Sequence, residues 1–371
     1  MGTKEIGIGL VGSGFMGRCH ANAFRTVSGL FELPIEPSLR VLADANDEIA
    51  RVAAQNLGFE RATGDWNTLV NDKSVDVVAI TAPNVLHAPI AFSAIKAGKT
   101  VYCEKPLSTT AETALEMTEA AEAAGVVTMV GFNFQRNPMI KLAREIITSG
   151  EIGNVTGFRG RHAENYMADP NVPHSFRTDV HGGGALADIG SHIISMARYL
   201  LGPIAEVQAD CRTIHPTRPK SHNTTAHAPV EVDDMTHALV RFESGVSGSL
   251  EANWAATART MDLSWEITGT KGALAFTQER MNELSVWSGQ PGRSGYTKIE
   301  AGPPHPPYGQ FCPAPGHHLG FNDLKVIEVA ELLAAHIGRG PCTPDFREAY
   351  EVQRTVEAMQ QAHANRQWVS L

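Results

Sequence analysis

The sequence predicts an α/β protein in two parts: a doubly wound parallel sheet in front, and an α+β region with a large, mostly antiparallel open sheet behind. Three observations carry this. Over residues 6–131 short apolar runs alternate with helix-compatible stretches, the pattern of βαβ units. From Val155 onward strand-like runs follow one another across glycine turns with few helices between them. The length, 371 residues, exceeds the usual size of one domain.

In the front half, Ile6–Val11 is an almost wholly apolar run, as a strand buried on both faces requires. A helix to about Arg25 follows, and 27–38, with Gly29, Pro34 and Pro37, is expected as a loop. Leu39–Ala43 is the second strand, Glu48–Leu57 a helix and Trp66–Val70 a short one. Val75–Ala82 is a strand closed by Pro83, and His87–Ala97 a helix ending at Gly98. Thr100–Cys103 (strand), Thr110–Ala124 (helix) and Val126–Gly131 (strand) complete the set.

Behind it, strands are expected at Val155–Arg161, Ile204–Arg212, Met235–Phe242, Val246–Trp254, Asp262–Thr268, Gly272–Phe276 and Glu283–Trp287. Helices at Pro138–Ser149, Gly190–Leu200, Leu319–His336 and Arg347–Arg366 are expected to pack on their sheet, and the proline-rich stretch 293–315 to be a surface loop. A single boundary then divides 1–131 from 132–371.

Composition narrows the function classes. With 43% hydrophobic and 19% charged residues the chain is an ordinary globular protein. A formal net charge of −9 and the lack of a basic stripe argue against nucleic acid. No apolar run of about 18 residues exists for a membrane span. The start of the chain has no charged leader or apolar core, so a cytoplasmic location is expected. The five cysteines are scattered without a C-x-x-C pair, and of the histidines only His317 and His318 are adjacent; no metal site is expected.

The strongest local signal is Gly12-Ser13-Gly14-Phe15-Met16-Gly17, directly after a strand and opening a helix. That context makes it a dinucleotide-binding turn of Rossmann type: the first glycine for the tight turn, the second for approach to the pyrophosphate, the third for helix–strand packing. The helix N-terminus faces the phosphates. Asp44 ends the second strand, further on than the usual spacing of about 20 because the segment 27–38 intervenes. A carboxylate there binds a ribose 2′-hydroxyl and repels a 2′-phosphate, so NAD is expected rather than NADP. Ala82, Pro83, Asn84 and His87 follow one strand, and Glu104-Lys105-Pro106 another, on the side where such sheets bind ligands. These residues join the cofactor candidates.

On GSGFMG, APNVLH, CEKPL, GGGALADIGSHIISMARYLLG, GTKG and PDFREAYEVQRTVEAM, the chain resembles the glucose-fructose oxidoreductase / inositol dehydrogenase (Gfo/Idh/MocA) family over nearly its whole length. The resemblance implies that Lys105 lies beside the nicotinamide and the reacting hydroxyl, and that Asp188 and His192, from the second domain, complete the catalytic set. Spacing i, i+4 would let Asp188 and His192 share a helix face if the helix starts early, with Gly182-Gly183-Gly184 allowing close backbone approach to a ligand. Either Lys105 or His192 could be the general base in oxidising a secondary alcohol. The polar stretch Arg159, His162, Glu164, Tyr166, Asp169 and Arg177 suits a polyhydroxylated ligand. His162, Tyr166 and Arg177, with Asn133, Arg136 and His318 (beside His317), are the substrate-binding candidates. The implied enzyme is an NAD-dependent sugar or polyol dehydrogenase acting on a sugar, anhydrosugar or cyclitol, most like the inositol, levoglucosan and related sugar dehydrogenases. It is implied to be a homodimer or homotetramer paired through the open sheet. An NAD-dependent glycoside hydrolase working by transient oxidation and a non-catalytic NAD-binding sensor stand as alternatives.

Overall fold

The computed structural model describes residues 4–180, 183–289, 292 and 294–371. Two compact units result, one of residues 1–136 with 320–351, the other of 137–319 with 352–371. Gly182, assigned a ligand-approach role above, lies outside the described residues.

In the first unit, β1 (Lys4–Val11), β2 (Ile35–Ala43), β3 (Arg61–Thr63), β4 (Val77–Ile80), β5 (Thr100–Cys103) and β6 (Thr128–Val130) form one sheet in the order β3-β2-β1-β4-β5-β6. Every pairing is parallel. The order reverses between β1 and β4, so their C-terminal ends open the crevice in which such sheets bind ligands. Helices α1 (Phe15–Leu30), α2 (Asp47–Leu57), α3 (Trp66–Val70), α4 (His87–Lys96) and α5 (Ala111–Ala124) connect the strands. Local chemistry sets the ends of α2: the Asn46 side chain accepts from Ile49 N–H, and Gly58 closes it at φ 75°.

The expected loop 27–38 shrinks to residues 31–34, since α1 runs on to Leu30 and β2 begins at Ile35. Pro37 is tolerated in that strand because β3 pairs only with Val41–Ala43, leaving β2 unpaired on one side at residue 37. The three-residue β3 was too short and too polar to announce itself.

In the second unit, β7 (Val155–Ala163), β8 (Ile204–Arg212), β11 (Met235–Phe242), β12 (Ser247–Asn253), β13 (Asp262–Gly269), β14 (Gly272–Thr277), β15 (Glu283–Ser288), β16 (Gly295–Glu300) and β17 (Val369–Ser370) build a nine-stranded sheet; β9 (Thr217–Pro219) and β10 (His227–Pro229) form a separate ribbon. The sheet order is β16-β15-β14-β13-β7-β12-β11-β8-β17, and only β7 and β12 run parallel. Helices α6 (Pro138–Thr148) and α7 (Ser191–Leu201) pack along one face. The other is open: β11 alternates buried and exposed positions, and Leu239 is left 53% exposed. β16 falls inside the stretch expected as loop, held by antiparallel pairing to β15 that its own polar sequence does not signal.

Two helices depart from expectation. α8 (Phe321–His336), placed above on the antiparallel sheet, packs in the first unit against α1: Phe321 meets Phe15 and Phe134, and Lys325 and Glu328 meet Tyr102 of β5. The start of α9 (Phe346–Asn365) is also tied there, by Phe346 N–H to Thr128 and Arg347 to Glu122. No helix among the described residues is long and apolar enough to cross a membrane.

Candidate functional site

In the first unit the turn after β1 is shaped by three different constraints. Gly12 sits at φ +94°, and a Cβ on it would lie 2.7 Å from the Thr81 carbonyl oxygen. A Cβ on Gly17 would lie 2.2 Å from the Gly12 carbonyl oxygen, so only glycine lets α1 come this close to the strand. Gly14 is the opposite case, with no heavy atom within 4 Å of where its Cβ would be. It is the N-cap of α1, and no side chain caps that first turn. Free helix N–H groups with open space before them suit a pyrophosphate. Phe15 and Met16 follow, Phe15 61% exposed and stacked at 5.8 Å on Phe321.

Asp44 leaves the end of β2 with its carboxylate already oriented. Its Oδ2 accepts from Ser13 N–H at 2.8 Å and from the Ser13 hydroxyl, and Oδ1 from Ala45 N–H at 2.7 Å. Thr81 fastens the end of β4 to the same turn, donating to the carbonyls of Val11 and Gly12.

His87, proposed from sequence as a cofactor contact, is 1% exposed, with Nδ1 2.8 Å from the Pro106 carbonyl and Nε2 2.9 Å from that of Ala82. Burial lowers its pKa, against the pull of the two carbonyls. Neither nitrogen faces outward; the ring clamps the Ala82-Pro83-Asn84 loop to the turn holding Lys105. The Glu104 side chain is likewise engaged within the protein. Its carboxylate turns inward, Oε1 accepting from Lys325 Nζ at 2.7 Å and from His20 Nε2 at 2.8 Å. Burial alone would raise its pKa, but the Lys325 ammonium and the His20 hydrogen bond overcome that and hold it well below the usual carboxylate range. Lys105, half-buried, is the next residue. Asn133 and Arg136 are buried in a short turn after β6. Arg136 is held 2.6 Å from Glu331 on α8, a partner within its own unit that the sequence did not reveal.

In the second unit a π-helical turn, Leu186–Gly190, runs directly into α7, so the helix does start early enough to carry both Asp188 and His192. Asp188 Oδ2 accepts from the Tyr166 hydroxyl at 2.9 Å and from Arg177 Nε at 3.1 Å. Arg177 lies over the Phe176 ring at 4.6 Å. Burial first, then the Asp188 charge, push the Tyr166 phenol far above its ordinary pKa, so it stays a hydrogen-bond donor. His192 is 9% exposed, its ring 5.6 Å from that of His162. His162, a substrate candidate, is 1% exposed and engaged at both nitrogens, with the Ile189 carbonyl and with Glu164. Through the Ile189 carbonyl it supports the π-helical turn.

The glycines before that turn also serve the protein. A Cβ on Gly183 would lie 2.3 Å from the carbonyls of Arg177 and Asp179, and one on Gly184, at φ +103°, 2.4 Å from Asp233 Oδ1. Asp233 was not foreseen: Oδ2 accepts from Leu186 N–H at 2.9 Å and from Thr236 at 2.8 Å, and burial pushes its pKa up to about 6. Beside it, Asp234 accepts from Ile214 N–H, His215 N–H, Trp254 Nε1 and Arg218. Of the remaining polar candidates, Arg159 is on the open sheet face near Glu266, and Asp169 caps the Asn171 N–H. His318 is exposed in a loop with its φ at 63°, its N–H on the Tyr308 hydroxyl.

Comparison with known proteins gives one consistent picture. The family model described as an oxidoreductase family with an NAD-binding Rossmann fold matches residues 6–132, and that of the GFO/IDH/MocA C-terminal domain matches 140–275. Levoglucosan dehydrogenase of Pseudarthrobacter phenanthrenivorans is 38% identical, over 99% of this chain and 98% of its own. A structure of levoglucosan dehydrogenase in complex with NADH and levoglucosan superimposes with a TM-score of 0.95, at 38% identity and 99% of each chain. An NAD-binding oxidoreductase from Klebsiella pneumoniae is 42% identical, with a TM-score of 0.94 over 99% of this chain and 98% of that one.

Proposed function

The chain belongs to the GFO/IDH/MocA family of oxidoreductases with an NAD-binding Rossmann domain, and on that premise we propose that it oxidises a secondary hydroxyl of a sugar, anhydrosugar or cyclitol, with levoglucosan the first substrate to try. The observation that carries this reading is the arrangement at the start of α7. A carboxylate, Asp188, is held by a phenol and a guanidinium, and an imidazole follows it one helical turn later. Such a set accepts and donates hydrogen bonds to vicinal hydroxyls while offering an imidazole nitrogen as acceptor for the hydroxyl proton.

The uncapped α1 N-terminus and the open space at Gly14 fit a dinucleotide pyrophosphate, and Asp44 fits the ribose hydroxyls. When bound, NAD accepts the hydride that leaves the alcohol carbon. The chain's own part is the proton and the oxygen. His192 takes the hydroxyl proton as general base, Lys105 stabilises the developing alkoxide through its ammonium, and Asp188 orients the hydroxyl that reacts. Tyr166 and Arg177 fix that carboxylate, so its acceptor directions are set before substrate arrives. We assign the open face of the nine-stranded sheet to pairing in a homo-oligomer, which light scattering of the purified protein tests.

The deciding experiment is a screen of purified protein with NAD against levoglucosan, inositols, aldoses and glycosides, read as NADH formation. Release of a glycoside's leaving group with no NADH from any compound would replace the dehydrogenase reading by the hydrolase. Lys105→Ala is expected to lower kcat about 100-fold or more with NADH binding retained; full activity in that variant would remove Lys105 from the mechanism.

A further inference from the structure

A buried charge cluster in the first unit is unused by that mechanism. It joins His20 on α1, Tyr102 and Glu104 at the end of β5, and Lys325 and Glu328 on α8. Lys325 and Glu328 are 0% exposed, as are His20 and Tyr102. Burying an ammonium this deeply is unfavourable unless it is fully paired. Lys325 meets that condition with Glu104 at 2.7 Å, Glu328 at 2.8 Å and the Tyr102 hydroxyl at 3.1 Å.

The carboxylate of Glu104 is the joint between this cluster and the next residue. Its Oε1 carries Lys325 and His20, and its Oε2 accepts from the backbone N–H of Lys105 at 3.3 Å. It lies across the end of β6, where a Cβ on Gly131 would come within 2.6 Å of it. Gly131 therefore leaves the space that this carboxylate occupies. His20 stacks on the Tyr102 ring at 4.3 Å, which fixes the direction of its Nε2 donor. Glu328 is different: its Oε2 takes Lys325 and the Tyr102 hydroxyl, whereas the Lys105 backbone N–H goes to Glu104.

We propose that Lys325, returned to this unit by α8, is a positioning residue for Lys105, acting through the Glu104 carboxylate that holds the Lys105 backbone. The inference rests on the reading of Lys105 as the catalytic ammonium. Two isosteric variants separate positioning from simple support. In Glu104→Gln one end of the side chain becomes an N–H donor. It must then face either Lys105 N–H or the Lys325 and His20 donors, so the joint is broken in either orientation. In Glu328→Gln the amide nitrogen can take the Oε1 place, which has no hydrogen-bond partner, and Glu104 still balances Lys325. Both variants remove one buried carboxylate from the same cluster.

The test uses the full-length protein with and without NADH. Acetylation of each lysine by an amine-reactive ester is followed by mass spectrometry, and kcat, KM and NADH affinity are measured on the best substrate of the screen. We expect Glu104→Gln, and Lys325→Met where it folds, to change the labelling rate of Lys105 severalfold and lower kcat about tenfold, with NADH affinity unchanged. Glu328→Gln is expected to leave the labelling of Lys105 as it is in the unaltered protein. Equal labelling of Lys105 in Glu104→Gln and Glu328→Gln would overturn the inference. Full activity in Lys105→Ala would instead remove the catalytic reading, and the labelling comparison would still decide whether Lys325 positions residue 105.

Discussion

Two buried carboxylates, Glu104 in the first unit and Asp233 in the second, are handled in opposite ways. In the first, Glu104 meets an ammonium and an imidazole delivered by helices distant in sequence, and it stays ionised far below the usual carboxylate range. In the second, Asp233 meets a backbone N–H and a hydroxyl, both neutral, and burial pushes it up to about 6. Burial is similar, at 6% and 8% exposure, so the partner's charge makes the difference. The consequences for stability have opposite signs. Glu104, like the buried His20 and His87 whose pKa values burial lowers, contributes stability that is lost as pH falls. Asp233, raised in the folded state, contributes stability that is present in acid and lost as pH rises through about 6.

The neighbour of Asp233 gives the largest expected effect. Asp234 and Arg218 are both 0% exposed, and the carboxylate also holds Trp254 and two backbone N–H groups. Asp234→Ala leaves a buried guanidinium without its counter-charge, a loss of about 3–5 kcal/mol. Urea unfolding followed by tryptophan fluorescence measures it. A loss no larger than that of a surface substitution would mean that the backbone carbonyls on Arg218 suffice, and that neutral partners hold even the buried charge of the second unit.

Next comes the pH dependence of Asp233 itself. Moving from an ordinary value of 3.8 to about 6 corresponds to about 3 kcal/mol. In the unaltered protein this part of the stability falls between roughly pH 4 and pH 6, because the folded state binds the proton more tightly. Asp233→Asn, which keeps an oxygen for Leu186 N–H, is expected to lack that decline. Parallel pH profiles of unfolding free energy for the two proteins would show that Asp233 is not the titrating group.

These clusters also mark the limit of what the sequence disclosed. The glycine turn and the early helix start that carries Asp188 and His192 were legible because each lies within one local segment. His20, Lys325 and Glu328 were not, since a lysine in an apolar helix looks like surface until the chain brings it to Glu104. For the same reason the apolar run of α8 reads locally as a cover for the antiparallel sheet. Short elements such as β3 and β16 depend on pairing partners, and pairing is absent from local composition. Conversely, His87, His162 and Glu104 carried the residue types of a ligand site, yet their polar atoms are turned to the protein's own backbone and side chains.

The smallest effect concerns the carboxylate of the first unit that most resembles Asp234. Asp44 is also held by backbone N–H groups, from Ser13 and Ala45, but it is only partly buried. Its proposed work is discrimination against a 2′-phosphate by like-charge repulsion and by acceptance from the ribose hydroxyl. Removing the charge with Asp44→Asn keeps one acceptor oxygen, so binding of NADH is expected to weaken only slightly. The repulsion disappears, and the affinity ratio of NADH to NADPH is expected to fall about tenfold, near 1.4 kcal/mol. Titration of both reduced cofactors by fluorescence gives the ratio directly, at low salt because an exposed charge is screened. An unchanged ratio would confine Asp44 to bracing the Ser13 turn, as Asp234 braces the loop around Ile214 and His215 in the second unit.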